Sequence, residues 1–191
     1  MLKPRSPQKE NMGKPQERDN FQTPNYATDI IAQFIPASIS YIWECAAGEN
    51  KISDRLKTHG YQTYSTDIKF GYNFLLDAIP ETLTYFRNKL AIITNPPYSL
   101  KRKFFEKCLE YDLPFGLLIS GDYSLWTIDA VRKYNCQKIV PDHRINYITP
   151  TGLSEATGHS SYFHSYWLTR YFSLGQTETF IELTKEMRKN I

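Results

Sequence analysis

Three apolar runs decide most of the fold question: ISYIWEC over 39–45, LAIIT over 90–94 and FGLLIS over 115–120. Each is too short for a buried helix, and a turn followed by helical periodicity comes after each. Strands that alternate with helices pair in parallel, because the helix carries the chain back across the sheet. The reading is therefore α/β, a mostly parallel, doubly wound sheet. Thr23 caps a first helix with Pro24 in its first turn, and Tyr26, Ile30, Ile31 and Phe34 recur at helical spacing up to Pro36. A second helix carries Ile52 and Leu56 to Gly60, and 61–66 is a strand ending at Asp67. A short helix follows Pro80, and Ser99 caps another that buries Phe104, Phe105, Cys108 and Leu109. Residues 124–134 read as a helix, 137–140, 144–149 and 162–170 as strands, and 177–189 as a C-terminal helix.

Composition narrows the class without naming a function. Residues 1–20 are rich in Pro and charge, and read as a flexible basic tail that carries +2 of the net +3. The 21–191 remainder is nearly neutral and of single-domain length, so affinity for a polyanion must come from local patches. No apolar run approaches the ~20 residues of a membrane helix, and no signal peptide is visible. Cys45, Cys108 and Cys136 lack any CxxC spacing, which argues against a zinc site or a disulfide framework and fits a reducing cytoplasm. Aromatic residues reach 15%, yet aromatics are first of all core material. His159 and Ser160-Ser161 have no G-x-S-x-G around them, so a hydrolase triad is rejected.

In open α/β sheets ligands bind beyond the carboxyl ends of the strands, and three such ends here carry unusual residues. The first is Glu44-Cys45-Ala46-Ala47-Gly48-Glu49-Asn50, small residues that let backbone approach a ligand before a helix N-terminus. It lacks GxGxxG and GKS/T, and its acids suit a ligand of ammonium or sulfonium character; alone, it is as readily a plain strand-to-helix turn. The second is Asp67, placed as a ribose-binding carboxylate would be, though a lone Asp there is more often a cap. The third is Asn95-Pro96-Pro97-Tyr98. Its prolines stiffen the loop, which presents the Asn95 side-chain oxygen and the Pro96 carbonyl as acceptors beside the flat face of Tyr98. A planar ligand with an exocyclic amino group matches that pair.

Together these segments resemble class I S-adenosylmethionine-dependent amino-methyltransferases, most of all the DNA adenine-N6 methyltransferases of small phage or bacterial type. The resemblance covers 21 to about 120 and assigns no role within 140–172. It implies a Rossmann-like sheet with an antiparallel last strand, and one catalytic domain without a separate target-recognition domain. It implies S-adenosyl-L-methionine as cofactor, with Glu44, Ala46, Gly48 and Asn50 forming the first motif, where Asn50 replaces the usual last glycine. Asp67 is implied as the ribose ligand, Ile68 as the side chain packed on the cofactor adenine, and Asn73-Phe74 as its edge. Phe21, Thr23 and Pro24 match the F-x-T-P segment that closes over the methionine end. Asn95, Pro96, Pro97 and Tyr98 match the catalytic motif, with Asn95 touching the cofactor too. Protein-glutamine and RNA methyltransferases share NPPY, but ECAAGEN and the position of the T-P segment favour adenine in nucleic acid. An RNA adenine-N6 enzyme and a non-catalytic nucleic-acid-binding module of the same fold stay as alternatives.

The implied chemistry needs no metal. Two acceptors draw the amino nitrogen out of conjugation and aim its lone pair at the methyl group, so catalysis is mostly positioning. Duplex DNA must extrude the base, with Tyr98 as the stacking partner. Lys101, Arg102, Lys103 and Arg144 are the expected phosphate contacts.

Overall fold

The computed structural model describes residues 21–149, 152–153 and 163–191. Its α/β architecture is a seven-stranded sheet in the order β2-β1-β3-β4-β8-β5-β9. The strands are β1 (Tyr41–Glu44), β2 (Gln62–Ser65), β3 (Leu90–Thr94), β4 (Phe115–Ser120), β5 (Gln137–Pro141), β8 (Ser165–Arg170) and β9 (Glu178–Ile181). Two short strands, β6 (Ile148–Thr149) and β7 (Gly152–Leu153), form a separate hairpin. β8 is antiparallel to both its neighbours, β4 and β5, and every other pairing in the sheet is parallel. The mixed sheet is compatible with a Rossmann-like fold.

Strand alternation sorts the sheet into two faces. Along β3, Ala91 and Ile93 enter one core while Leu90 and Ile92 enter the other. The first core gathers Ile30 and Ile31 from α1 (Asn25–Ala32) and Ile52 and Leu56 from α2 (Lys51–Thr58). The second gathers Phe104, Phe105 and Cys108 from α4 (Lys101–Tyr111), and Ala130 from α5 (Leu125–Tyr134). Strands buried on both faces read as unbroken apolar runs, which is what made β3 and β4 legible. α3 (Glu81–Thr84) is the short helix after Pro80.

Several expectations need correction. Thr23 does not cap α1; Pro24 takes the cap position in an extended conformation, and Thr23 is buried. Leu100 rather than Ser99 occupies the cap of α4. The strand expected over 144–149 shrinks to Ile148–Thr149. The antiparallel strand is not the last one, because the segment read as a C-terminal helix contains β9, followed by a 3-10 turn at Met187–Lys189. Thr179, Phe180 and Ile181 are good strand formers, and β9 finds an open parallel edge on β5. The tail at 1–20 and His159, Ser160 and Ser161 lie outside the described residues. Among the described residues no helix is long and apolar enough to cross a membrane.

Candidate functional site

The parallel register brings the three unusual strand ends to one edge of the sheet. Glu44 lies opposite Ser65, Trp43 opposite Ile92, and Thr94 opposite Leu117. The turn after β1 closes with Ala47 N–H donating to Thr66 O at 3.1 Å and Asn50 N–H to Ala47 O at 2.7 Å. Gly48 and Asn50 both have positive φ, +54° and +61°. Asn is among the few side chains that tolerate this region, so the turn holds its shape with Asn at position 50. A Cβ on residue 48 would stand 2.8 Å from the movable Gln22 carboxamide, so it is the positive φ that favours glycine there.

Two carboxylates fix that turn, in different ways. Glu44 is 2% exposed and points inward, where it accepts the Ser53 N–H at 2.8 Å. It thereby caps α2 from outside, a job that Asn50 at the cap position does not do with its side chain. Burial pushes the Glu44 carboxyl up to about 8, against the opposing effect of the Ser53 bonds. An acid facing a ligand was expected here; the structure gives it a structural partner instead, leaving Glu49 as the exposed acid of the turn. Asp67 bridges two loops, accepting Gly48 N–H at 2.8 Å through one oxygen and Lys69 N–H at 2.9 Å through the other. A carboxylate has lone pairs beyond those two bonds, so hydroxyl donors still have an acceptor there.

Beside Asp67, Ile68 is 71% exposed, a bare aliphatic surface at the rim. Asn73 spends its side-chain oxygen on Leu75 N–H at 3.0 Å. Phe74 is 2% exposed and packed against Phe104 and Trp43, with centroids 4.8 and 5.3 Å away. The ring, expected at the edge of a ligand ring, anchors its segment in the core.

The chain before α1 crosses this edge as a strap. Gln22 exchanges two backbone hydrogen bonds with Ile148, at 2.8 and 3.0 Å. Its side-chain oxygen accepts the Glu49 N–H at 3.1 Å. The Phe21 carbonyl accepts the Asn95 amide nitrogen at 3.5 Å. That contact turns Asn95 so that its oxygen is buried with no hydrogen-bond partner among the described residues. A buried orphan acceptor costs about 1–3 kcal/mol, which a donor from outside would remove.

Tyr98 is not the open face expected of it. It is half-buried, edge-on to Phe163 at 4.9 Å and to Tyr147 at 6.1 Å. Phe21 stacks near Tyr147 at 6.0 Å, so four rings from distant segments meet at the Asn95–Tyr98 loop. Tyr147 is fully buried, with its hydroxyl 2.9 Å from Ser165 Oγ. Tyr147, Phe163 and Gln22 were not singled out by sequence, since their partners are distant in the chain and only the folded chain brings them together.

The basic residues divide. Lys101 is not free for phosphate: its ammonium lies 2.5 Å from Asp122 and donates to Ser120 Oγ at 2.7 Å. This partner also relieves a cation placed in the first turn of a helix. Arg102 is paired with Glu106 at 2.9 Å on an exposed face, a contact worth little in water. Lys103 and Arg144 are exposed. Among the described residues no group of three or more His, Cys, Asp or Glu could hold a metal ion. No family model matches the chain, and no curated protein matches it.

Proposed function

We propose that this chain is an S-adenosylmethionine-dependent methyltransferase acting on the N6 amino group of adenine in DNA. The carrying observation is the Asn95 side-chain oxygen, a buried acceptor with no partner among the described residues, at the carboxyl end of a central parallel strand. An exocyclic amino group is the donor that this loop suits, with the Pro96 carbonyl as the second acceptor.

The residues at the edge fit the cofactor. Asp67 has lone pairs to spare for ribose hydroxyls, Gly48 supplies the positive φ of the turn beside it, and exposed Ile68 offers an aliphatic face for an adenine ring. When bound, the cofactor supplies an electrophilic methyl group on a sulfonium. Asn95 Oδ1 holds one amino N–H and the Pro96 carbonyl the other, so the nitrogen lone pair turns out of the base plane. Fixing a reacting group in this way is worth roughly 7–11 kcal/mol in favourable cases. Phe21 orients Asn95 through its carbonyl, and the ring cluster around Tyr98 holds the loop against the strap. As the amino nitrogen takes the methyl group the sulfur would leave as a neutral thioether, and the surplus proton on the methylated nitrogen stays hydrogen-bonded at Asn95 Oδ1 until water takes it.

Against the non-catalytic reading, Asn50 occupies the left-handed conformation that a glycine would, so the first motif's turn is preserved. The test is transfer of tritiated methyl from S-adenosylmethionine to DNA, RNA and protein pools, followed by mass spectrometry of the modified nucleoside. N6-methyladenine from DNA is the expected product. Label in RNA alone moves the substrate, and label in no pool despite cofactor binding promotes the binding-module reading.

A further inference from the structure

At the same sheet edge, one strand beyond the catalytic loop, stands the most exposed large apolar side chain among the described residues. Tyr123 is 87% exposed, and Leu125 two residues on is 74% exposed. An exposed ring on a loose loop would mean little. Here its neighbour is fastened from several directions. Asp122 accepts Lys101 Nζ at 2.5 Å, Ser124 N–H at 3.0 Å and Ser124 Oγ at 2.5 Å, and Thr127 Oγ1 donates to the Asp122 carbonyl at 3.1 Å. Behind it, Gly121 N–H donates to His164 O at 2.6 Å. Tyr123 thus projects from a clamped turn, with Lys138 Nζ 5.6 Å from its ring centroid.

Lys101 makes that turn part of the catalytic geometry. It sits three residues after Tyr98, so one ion pair couples the base of the projecting ring to the loop that would hold the target adenine. Exposed Arg102 and Lys103 follow in the same helical turn and supply cations for a phosphate backbone alongside. A base drawn out of a duplex leaves a gap in the stack, and apolar side chains are what proteins insert at such steps. Pre-set rigidity lowers the ordering cost of that insertion.

We infer that Tyr123, backed by Leu125, is a fixed wedge that enters the base stack of duplex DNA beside the extruded adenine. The inference rests on the DNA reading above and assigns to the turn after β4 the discrimination of duplex from single strand. It requires no covalent step.

The experiment compares wild type, Tyr123→Ala and Tyr123→Trp on sheared genomic DNA, native or heat-denatured. Incorporated tritiated methyl and fluorescence anisotropy of binding are both read. Tyr123→Ala is expected to lower the native-to-denatured ratio about tenfold, the scale of one lost stacking contact. Tyr123→Trp should restore the ratio, and its indole emission should change on native DNA. Equal losses on both DNA forms, or a ratio unmoved by Tyr123→Ala, would overturn the wedge while leaving methyl transfer intact. Binding keeps the two readings apart. A protein that transfers no methyl yet shows the Tyr123-dependent ratio in anisotropy retains the wedge and loses the proposed activity. A protein that binds neither form loses both.

Discussion

At the scale of single residues, Asn95 and Glu44 show how differently two polar groups at one edge are used. Asn95 spends an amide hydrogen on Phe21 and its oxygen has no partner among the described residues. Asn95→Ala is expected to bind S-adenosylmethionine still, measured by calorimetry, and to lose methyl transfer by at least about 10²-fold, the cost of a misplaced reacting group. Unimpaired turnover would sink the role of this side chain. Glu44 is a stability matter. Burial raises its carboxyl to about 8 in the folded chain, from an ordinary value near 4.5. Between those values the folded state holds more protons than the unfolded one, so its contribution to stability is full below pH 4.5 and is lost as pH rises through about 8. Glu44→Gln retains an acceptor for Ser53 N–H and removes the titration. Its unfolding temperature should exceed that of the wild type above pH 8 and match it more closely at acid pH, which thermal melts across that range will check. Sequence identified the carboxylate but not its direction, because which way an acid faces depends on the helix packed against it.

Elements were legible where their own residues decide them and obscure where a remote partner does. β3 and β4 begin and end where their apolar runs do, since burial on both faces leaves its mark on every position. β9 is different. Its segment reads as a helix in the sequence, yet Lys138 on β5 pairs with Glu178 at 2.8 Å and the strand registers there. No local pattern contains that partner. The aromatic cluster at the Asn95–Tyr98 loop was hidden for the same reason, its four rings coming from four separate segments. Lys101 read as a phosphate contact because Asp122 is distant in sequence. The seat of α1 on the sheet offers a direct test of element packing. A Cβ on Gly116 of β4 would lie 2.2 Å from Ile31 Cδ1. Gly116→Ala should therefore destabilise by about 1–3 kcal/mol in urea titration, as overpacked cores do. Adding Ile31→Val should recover part of the loss, whereas simple additivity of the two changes would contradict the contact.

For the whole molecule, two tryptophans report on opposite sides of one sheet. Trp167 belongs to the core under α1 and α2, its indole donating to Ala27 O at 2.9 Å; Trp43 belongs to the core under α4 and α5. Because every strand in the middle of the sheet contributes to both cores, neither can melt alone. Variants retaining only Trp43 or only Trp167 should each show fluorescence and far-ultraviolet dichroism midpoints that coincide in urea. Separated midpoints within either variant would mean that the two layers unfold independently. The reversed strand β8 carries a further consequence, for biosynthesis. It sits between β4 and β5 but is encoded after both, so a growing chain lays down the flanks of the sheet before the strand that joins them. Until residues 165–170 have left the ribosome, two inner edges stand open with their backbone groups unpaired. The interval of greatest exposure to misassociation thus opens once β4 and β5 have emerged and closes only when β8 follows them.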